Sequence, residues 1–373
     1  MNFDHPLVPL ALDLGSEDPG VRLQAVKRLI PRLPDPGFLE TLREHRLIYL
    51  LYRTMTQFPR KEVGEVPLLE ELRREYLAGV RLYNIQEKET RILAELLAGV
   101  GVEVILLKGG DIRHRLYDDP ACRPMSDLDV LISPADLEKV RTVLKGEGYT
   151  LKPWDLEPQP GFISRFDNDI AFATPSQNLD IDFHWGLHEV GSYYRLPYAT
   201  LRARATVRDQ QGYAVLVLTP EHLLMHLCLH TFDELETAGI LKILDLDLAL
   251  RRLPLDWDLF LADAATFHLQ GPLSRIFREM EKLRPQAVPA GVMERLAAYT
   301  PDWSEKLILR REAMSLLVAS LAALWRYVPI RAWPAFLKGK LWPDADYIKA
   351  NAWEFGNRAG YLRHLLRRAR DET

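Results

Sequence analysis

Apolar residues recur at helical spacing through the first hundred positions of the chain. Between residues 16 and 95, Phe38, Leu39 and Leu42 illustrate this spacing, in which residues three or four apart share one face. A long amphipathic pattern follows at 68–97, and Gly99 and Gly101 mark its end, as glycine commonly does after a helix. The pattern predicts an N-terminal helical region over residues 1–100.

The pattern changes at residue 102, where short β-type runs begin to alternate with helical ones. Strands are predicted at 102–107, 127–132, 169–173, 179–185 and 215–218. Helices are predicted at 109–117 and 134–146, the second with Ser133 as its N-cap. Residues 101–218 are therefore expected to form a core region in which strands and helices alternate.

Helical spacing returns after Leu218 and continues to the end of the chain. Thr219 is a favourable N-cap residue, and Pro220 suits the first helical position because an N–H there would have no partner within the helix. The stretch at 361–370 predicts a basic amphipathic helix. Residues 219–373 are thus expected to form a C-terminal helical region.

Two aspartates occupy alternate positions of the predicted strand at 127–132. Residues two apart in a strand point to the same face, so Asp127 and Asp129 converge. Carboxylates held together repel each other unless a cation lies between them, and Mg²⁺ or Mn²⁺ accepts oxygen ligands of this kind. A later strand adds Asp182, a third carboxylate of the kind that two-metal phosphoryl transfer uses. The competing interpretation is a solvated Asp-x-Asp pair, a short pattern that often arises by chance.

The three aspartates have distinct roles in the two-metal interpretation. Asp127 and Asp129 bridge both ions, while Asp182 holds the ion that activates the acceptor hydroxyl. All three are therefore candidate metal ligands and catalytic residues. Replacing Asp127 or Asp129 with Asn is expected to leave the stability of metal-free protein unchanged or slightly raised, because the change removes a repulsion.

A lysine and two glycines, Lys108, Gly109 and Gly110, follow the first predicted strand and open a helix. Glycine allows backbone N–H groups to approach phosphate oxygens, and a helix N-terminus favours negative charge. Lys108 is suited to neutralise a nucleoside triphosphate. The three residues are therefore candidates for nucleotide binding, and the competing interpretation is an ordinary tight turn.

Arg123 and Ser126 lie shortly before the first aspartate and are further candidates for nucleotide binding. A guanidinium in this position can hold a phosphate through two hydrogen bonds. The alternative for Arg123 is a salt bridge with Asp118 or Asp119. The alternative for Ser126 is a residue that merely begins a strand.

Two histidines are candidates for the acceptor side of the site. His184 lies two residues after Asp182 on the same face of the predicted strand, where it would orient that carboxylate or touch the acceptor. His230 would face the cleft from the helical region. With His222 and His226 it also has ligand-like spacing for zinc, but the apolar residues between them are more typical of a core helix.

Several of these segments together resemble the uncharacterised nucleotidyltransferase family of the DNA polymerase β-like superfamily. The resemblance is carried by Leu-Lys-Gly at 107–109, Tyr-Asp-Asp-Pro at 117–120, Arg-Pro-Met-Ser-Asp-Leu-Asp-Val-Leu at 123–131, Asp-Phe-His-Trp at 182–185, Leu-Thr-Pro-Glu at 218–221, Cys-Leu-His at 228–230 and Leu-Asp-Leu at 244–246. It implies an α+β fold, in which a small mixed β-sheet has helices on one side and is flanked by N-terminal and C-terminal helical regions. It also implies two Mg²⁺ ions and a nucleoside triphosphate donor.

The resemblance implies an enzyme that moves a nucleoside monophosphate from a triphosphate such as ATP to an acceptor hydroxyl and releases pyrophosphate. The acceptor stays open among a small hydroxylated molecule, a tRNA end and a protein side chain. A metal-dependent Asp-x-Asp glycosyltransferase is the enzymatic alternative, but it would need a larger parallel sheet where the first 95 residues are helical. A non-catalytic binding or toxin–antitoxin module is the other alternative, and the three carboxylates argue against it.

Composition bears on the partners and the cellular location of this expected enzyme. The 373 residues include 48 basic and 52 acidic ones, so a chain-wide polyanion-binding surface is not predicted. Cys122 and Cys228 cannot form a disulfide framework and are expected to be reduced thiols of a cytoplasmic protein. The longest apolar stretch, residues 313–325, is too short to cross a bilayer, so no transmembrane segment is expected.

Overall fold

The computed structural model describes residues 2–152, 156–159, 161–187, 194, 196–234, 239–309, 329–351 and 356–363. The chain begins with the helices α1 (Val8–Leu14), α2 (Pro19–Leu29), α3 (Pro36–Glu44), α4 (Ile48–Met55), α5 (Arg60–Val63) and α6 (Leu69–Gly99). The 31-residue α6 matches the amphipathic pattern at 68–97. Gly101 follows with φ +70°, a left-handed conformation that glycine adopts without strain, and the chain then enters the first strand.

A seven-stranded mixed sheet follows the N-terminal helices. Its strands are β1 (Ile105–Leu106), β2 (Asp127–Leu131), β3 (Thr150–Leu151), β4 (Asp169–Ala173), β5 (Asp180–His184), β6 (Thr206–Gln210) and β7 (Tyr213–Val217). Their spatial order is β3-β4-β5-β2-β1-β7-β6. β2 runs parallel to β5 and antiparallel to β1, while β1 runs parallel to β7. The predicted α+β fold with a mixed sheet is therefore confirmed.

Sequence patterns missed two strands and lengthened another. β3 has only two residues, and β6 lies at the edge of the sheet with three of its five side chains exposed, so neither shows an apolar run. The apolar run at 102–107 contributes only Ile105 and Leu106 to the ladder of β1. A buried segment is apolar whether or not its backbone pairs with a neighbouring strand. The apolar pattern alone therefore cannot show which of its residues belong to the ladder.

Helices cover both faces of the sheet, so the expected one-sided arrangement is wrong. The helices between the strands are α7 (Lys108–Arg115), α8 (Leu137–Gly146), α9 (Phe162–Phe166) and α10 (Tyr198–Arg204). One face, which includes Leu128 and Val130, packs against α8 and the C-terminal end of α6. The opposite face, which includes Leu131, belongs to a larger core shared with α1 to α4.

The chain after the sheet is helical in the residues described. Its helices are α11 (Pro220–Asp233), α12 (Ile240–Arg252), α13 (Trp257–Thr266), α14 (Gln270–Leu283), α15 (Ala290–Ala297), α16 (Trp303–Leu309), α17 (Trp333–Leu341) and α18 (Ala345–Ala350). Thr219 caps α11 by accepting a hydrogen bond from the N–H of His222 at 3.4 Å, and Pro220 takes the first helical position, as predicted. α11 and α12 share the larger core with α1, so N-terminal and C-terminal helices meet over one face of the sheet.

Three further expectations concern the ends and the setting of the chain. Most of the basic helix predicted at 361–370 lies outside the described residues. Cys122 and Cys228 are buried free cysteines, as expected. Among the described helices, none is both long and apolar enough to span a membrane.

Candidate active site

The register of two central strands brings acidic side chains together. β2 and β5 are parallel neighbours, and their pairing sets Asp129 beside Asp182 and Leu131 beside His184. Because side chains alternate along a strand, Asp129, Asp182 and His184 leave the same face of the sheet. One ligand atom from each lies within 4.8 Å of the others, which is close enough for a shared cation.

Asp129 is the buried member of this cluster. Its Oδ1 accepts a hydrogen bond from Lys108 Nζ at 2.6 Å, and His184 Nε2 lies 2.9 Å from the same oxygen. Burial opposes the ionisation of Asp129, but Lys108 and His184 outweigh it and hold the pKa of Asp129 well below its ordinary value. The carboxylate is therefore stabilised by its partners in metal-free protein. These contacts argue against the expectation that an Asn substitution here costs no stability.

The pKa of Asp182 is shifted in the opposite direction. Burial and the negative charges of Asp129 and Asp127 raise the pKa of Asp182 to about 6, and His184 offsets them only in part. Its own charge is thus unfavourable where the sheet holds it. A hard divalent cation between Asp129 and Asp182 would relieve the repulsion, and oxygen donors suit Mg²⁺ or Mn²⁺. The donor set therefore fits such an ion.

Asp127 lies at the mouth of the site and is less buried than Asp129. Its Oδ1 accepts a hydrogen bond from Ser126 Oγ at 3.0 Å. Asp127 lines the cleft but is not a member of the close cluster formed by Asp129, Asp182 and His184 in the described part of the chain. Asp127 and Asp129 share a face of β2, as the alternation predicts, but they differ in burial and in partners.

A cleft of about 420 Å³ opens beside this cluster, and its lining includes Asp127 and Asp129 but not Asp182 or His184. Five stretches of the chain line it: the turn between α3 and α4, Lys108 with Gly109, the segment at 123–129, the C-terminal end of α11 with Glu234, and the start of α12 with Gly239. Its lining residues are Glu44, His45, Arg46, Lys108, Gly109, Arg123, Met125, Ser126, Asp127, Asp129, His230, Glu234, Gly239, Ile240, Leu241 and Lys242. Helices from before and after the sheet therefore both contribute to the site.

The glycine pair has a packing role that its sequence pattern did not indicate. A Cβ on Gly109 would lie 3.0 Å from Met125 Cβ, and a Cβ on Gly110 would lie 2.8 Å from Leu128 Cδ1. The close approach of α7 to β2 and to Met125 before it therefore favours residues without side chains. Gly109 lines the cleft, whereas Gly110 lies outside that lining and its N–H donates to the Leu107 carbonyl at 3.0 Å. The structure thus favours packing over phosphate contact for Gly110.

Arg123 lines the cleft but its guanidinium is already engaged. Its Nε donates to Asp245 Oδ2 at 2.9 Å, and its Nη2 lies 2.8 Å from the same carboxylate oxygen. Asp118 and Asp119, the partners considered from the sequence, have other cationic partners. The expected salt bridge therefore exists with a different residue, and it ties the segment before β2 to α12. This geometry therefore disfavours a role for the Arg123 guanidinium in phosphate binding.

The histidines of α11 do not converge on a metal. His222 Nε2 lies 3.2 Å from Asp263 Oδ2, while the rings of His226 and His230 stack with their centroids 6.3 Å apart. His230 lines the main cleft, as expected for an acceptor-side residue. It also lines a smaller adjoining cavity of about 40 Å³ together with His184 and His226.

Comparison with known proteins places the chain in a family. Residues 34–284 match the model of a family described as uncharacterised nucleotidyltransferase. The chain belongs to this family. No curated protein matches it. The crystal structure of an antigenic nucleotidyltransferase-like protein from Paracoccidioides brasiliensis covers 58% of this chain and 94% of its own, with 15% sequence identity and a TM-score of 0.36.

The part of the chain that matches the nucleotidyltransferase family also contains site residues that sequence patterns missed. Arg46 and Lys242 line the cleft, yet neither belongs to a short motif, and only the fold brings them near the aspartates. Asp245 offered a clearer signal, because a carboxylate in the middle of an apolar helix requires a buried cationic partner. Its partner, Arg123, could not be named from the sequence.

Proposed function

We propose that this family member is a metal-dependent nucleotidyltransferase, which moves a nucleoside monophosphate from an NTP to an acceptor hydroxyl and releases pyrophosphate. The observation that carries the proposal is the pairing of Asp129 with Asp182 across β2 and β5, beside a cleft of about 420 Å³. Burial and neighbouring carboxylates raise the pKa of Asp182 to about 6. Such a conflict of charges, close to a cleft with room for a ligand, is typical of a site that binds a cation and a phosphate.

Asp129 and Asp182 would hold Mg²⁺ or Mn²⁺, with Asp127 at the mouth of the site as a further ligand. When bound, such an ion neutralises phosphate charge and lowers the pKa of an acceptor hydroxyl. His184 contacts Asp129 Oδ1, and a neighbour of this kind orients a ligating carboxylate.

The side chains of the protein supply the remaining chemistry. The Lys108 ammonium, which lines the cleft, would stabilise the negative charge that builds on departing pyrophosphate. Asp182, as a carboxylate beside the acceptor hydroxyl, would accept its proton. The bond that forms joins the acceptor oxygen to the α-phosphorus, and the bond that breaks joins this phosphorus to the oxygen of pyrophosphate.

The acceptor would approach from the side of His184 and His230. His230 lines both the main cleft and the adjoining cavity, so it could contact a group that lies between them. A small hydroxylated molecule, a tRNA end and a protein side chain remain the acceptor classes. We retain the cytoplasm as the predicted location, and the free thiols of Cys122 and Cys228 are consistent with it.

Donor binding tests the proposal without knowledge of the acceptor. Calorimetric titration with a non-hydrolysable NTP should show binding that requires Mg²⁺ or Mn²⁺ and is lost in Asp129→Asn and Asp182→Asn. Asp180→Asn is the matched control: Asp180 is also on β5 and pairs with Asp127, but its carboxylate lies 2.6 Å from Lys152 Nζ and is not part of the cluster of Asp129, Asp182 and His184. Binding that ignores the metal, or that survives in all three variants, would contradict the proposal. A mass-spectrometric screen for NMP addition would then identify the acceptor.

A further inference from the structure

The turn between α3 and α4 places an arginine where glycine is favoured. The N–H of Arg46 donates to the Arg43 carbonyl and the N–H of Leu47 donates to the Leu42 carbonyl, both at 2.8 Å. This is the hydrogen-bond pattern of a Schellman motif, in which the residue at the position of Arg46 takes a left-handed conformation. Arg46 has φ +57°. A residue with a Cβ is mildly strained there, so the turn by itself would favour glycine over arginine.

The charges around the cleft distinguish Arg46 from the other cationic residues that line it. Four cationic side chains line it, and three of them are paired with carboxylates of the protein: Lys108, Arg123 and Lys242. Arg46 is exposed and makes no ion pair with any residue in the described ranges. Within those ranges it is therefore the Lys or Arg side chain of the cleft lining that no carboxylate of the protein already engages.

We propose that Arg46 binds the phosphates of the donor nucleotide, so that the N-terminal helical region completes the donor site. This inference rests on the proposed nucleotidyl transfer and adds a residue to it. Arg46 lines the same cleft as Asp127 and Asp129, the carboxylates expected to bind the metal. A guanidinium presents paired N–H donors that match two phosphate oxygens, and its charge offsets that of the triphosphate.

The variant Arg46→Gly separates binding from folding. Glycine suits the left-handed turn, so the melting temperature should stay the same or rise. Affinity for a non-hydrolysable NTP and for inorganic tripolyphosphate, both with Mg²⁺, should fall about 10- to 100-fold, as expected for the loss of charge-assisted hydrogen bonds. Affinity for the matching NMP should change less than about twofold. Arg28→Ala, which removes an exposed arginine of α2 outside the cleft lining, should leave all three affinities unchanged.

The outcomes distinguish this inference from the proposed function. Metal-dependent NTP binding that is equal in wild type and Arg46→Gly would overturn the role of Arg46 and leave the nucleotidyltransferase proposal standing. An equal loss for NMP and NTP, with tripolyphosphate unaffected, would mean that Arg46 contacts the base or sugar, and would also overturn it. If wild-type protein binds none of these ligands with metal, the proposed function fails first, and the inference fails with it.

Discussion

One pair of neighbouring strands, β2 and β5, carries two very different faces. On the first face, Leu128 pairs with Ile181 and Val130 with Phe183, and all four side chains are fully buried. Burial of one large apolar side chain contributes on the order of 1.5–3 kcal/mol. This face joins the sheet to α6 and α8, so its residues are explained by stability alone.

The second face of the same strands carries charge. Asp129 and Asp182 lie side by side there, and Lys108 and His184 offset part of their repulsion. The comparison shows that alternation along a strand allows one register to serve both purposes, because the apolar face stabilises the position that the acidic face requires. Substitutions should therefore separate by their largest effect, which is loss of function on the acidic face and loss of stability on the apolar face.

The largest effect is expected from the acidic face. Asp129→Asn and Asp182→Asn should each lower NMP transfer at least about 1,000-fold, or about 4 kcal/mol of barrier, because each removes a metal-binding charge. Rates of pyrophosphate release by the purified variants, at saturating Mg²⁺, provide the measurement. Asp180→Asn should retain nearly full activity. Transfer that persists in both site variants would remove these carboxylates from the mechanism.

The apolar face should give the largest effect on stability. Phe172 on β4 packs edge-to-face against Phe183, with ring centroids 5.9 Å apart. Phe172→Ala should lower the free energy of unfolding by about 3–5 kcal/mol, because it leaves a cavity in this core. Urea denaturation measures the loss, and Phe172→Leu should recover part of it. If Phe172→Ala instead abolished NTP binding in fully folded protein, the proposed separation of the two faces would be wrong.

The sequence alone predicted which side chains of β2 share a face and where the main helices lie, because both depend on local periodicity. The alternation at 127–132 placed Asp127 and Asp129 together, and the long stripe at 68–97 became α6. Likewise, the cap and proline at Thr219 and Pro220 begin α11 as expected. These features depend on neighbours in sequence, so a single chain is enough to identify them.

The sequence could not predict the contacts that join distant segments. The pairing of β2 with β5 is a tertiary choice, and a different register would have left Asp182 away from Asp129. The partner of Arg123 lies 122 residues away on α12, although a nearer aspartate looked equally suitable. Arg46 reaches the cleft through the packing of the N-terminal helices, for which no local pattern exists.

Lys108 lies on the acidic side and is proposed to contact the donor phosphates. Its loss should reduce turnover by an intermediate amount. Lys108→Ala should lower NTP turnover about 10- to 1,000-fold, because a charge beside the departing pyrophosphate is lost. Steady-state kinetics should show little change in the KM for the acceptor. Lys139→Ala, an exposed lysine of α8, is the control. Near-normal turnover in Lys108→Ala would reduce Lys108 to a partner of Asp129.

The smallest effect is a pH dependence that differs between the two aspartates of the acidic face. The pKa of Asp182 is raised to about 6 by burial and by its acidic neighbours, so folded protein keeps a proton that the unfolded chain releases near pH 4. Stability should therefore fall as pH rises from about 4 to about 6, by roughly 1–3 kcal/mol. Asp182→Asn should remove this fall and be more stable than wild type at pH 7.

The pKa of Asp129 is lowered, so its effect on stability has the opposite sign. Its contribution is present above about pH 4 and is lost in acid, so Asp129→Asn should be less stable at pH 7. Thermal unfolding of the three metal-free proteins across this range measures both effects, and equal shifts for the two variants would mean that the aspartates are not held in the different environments described here.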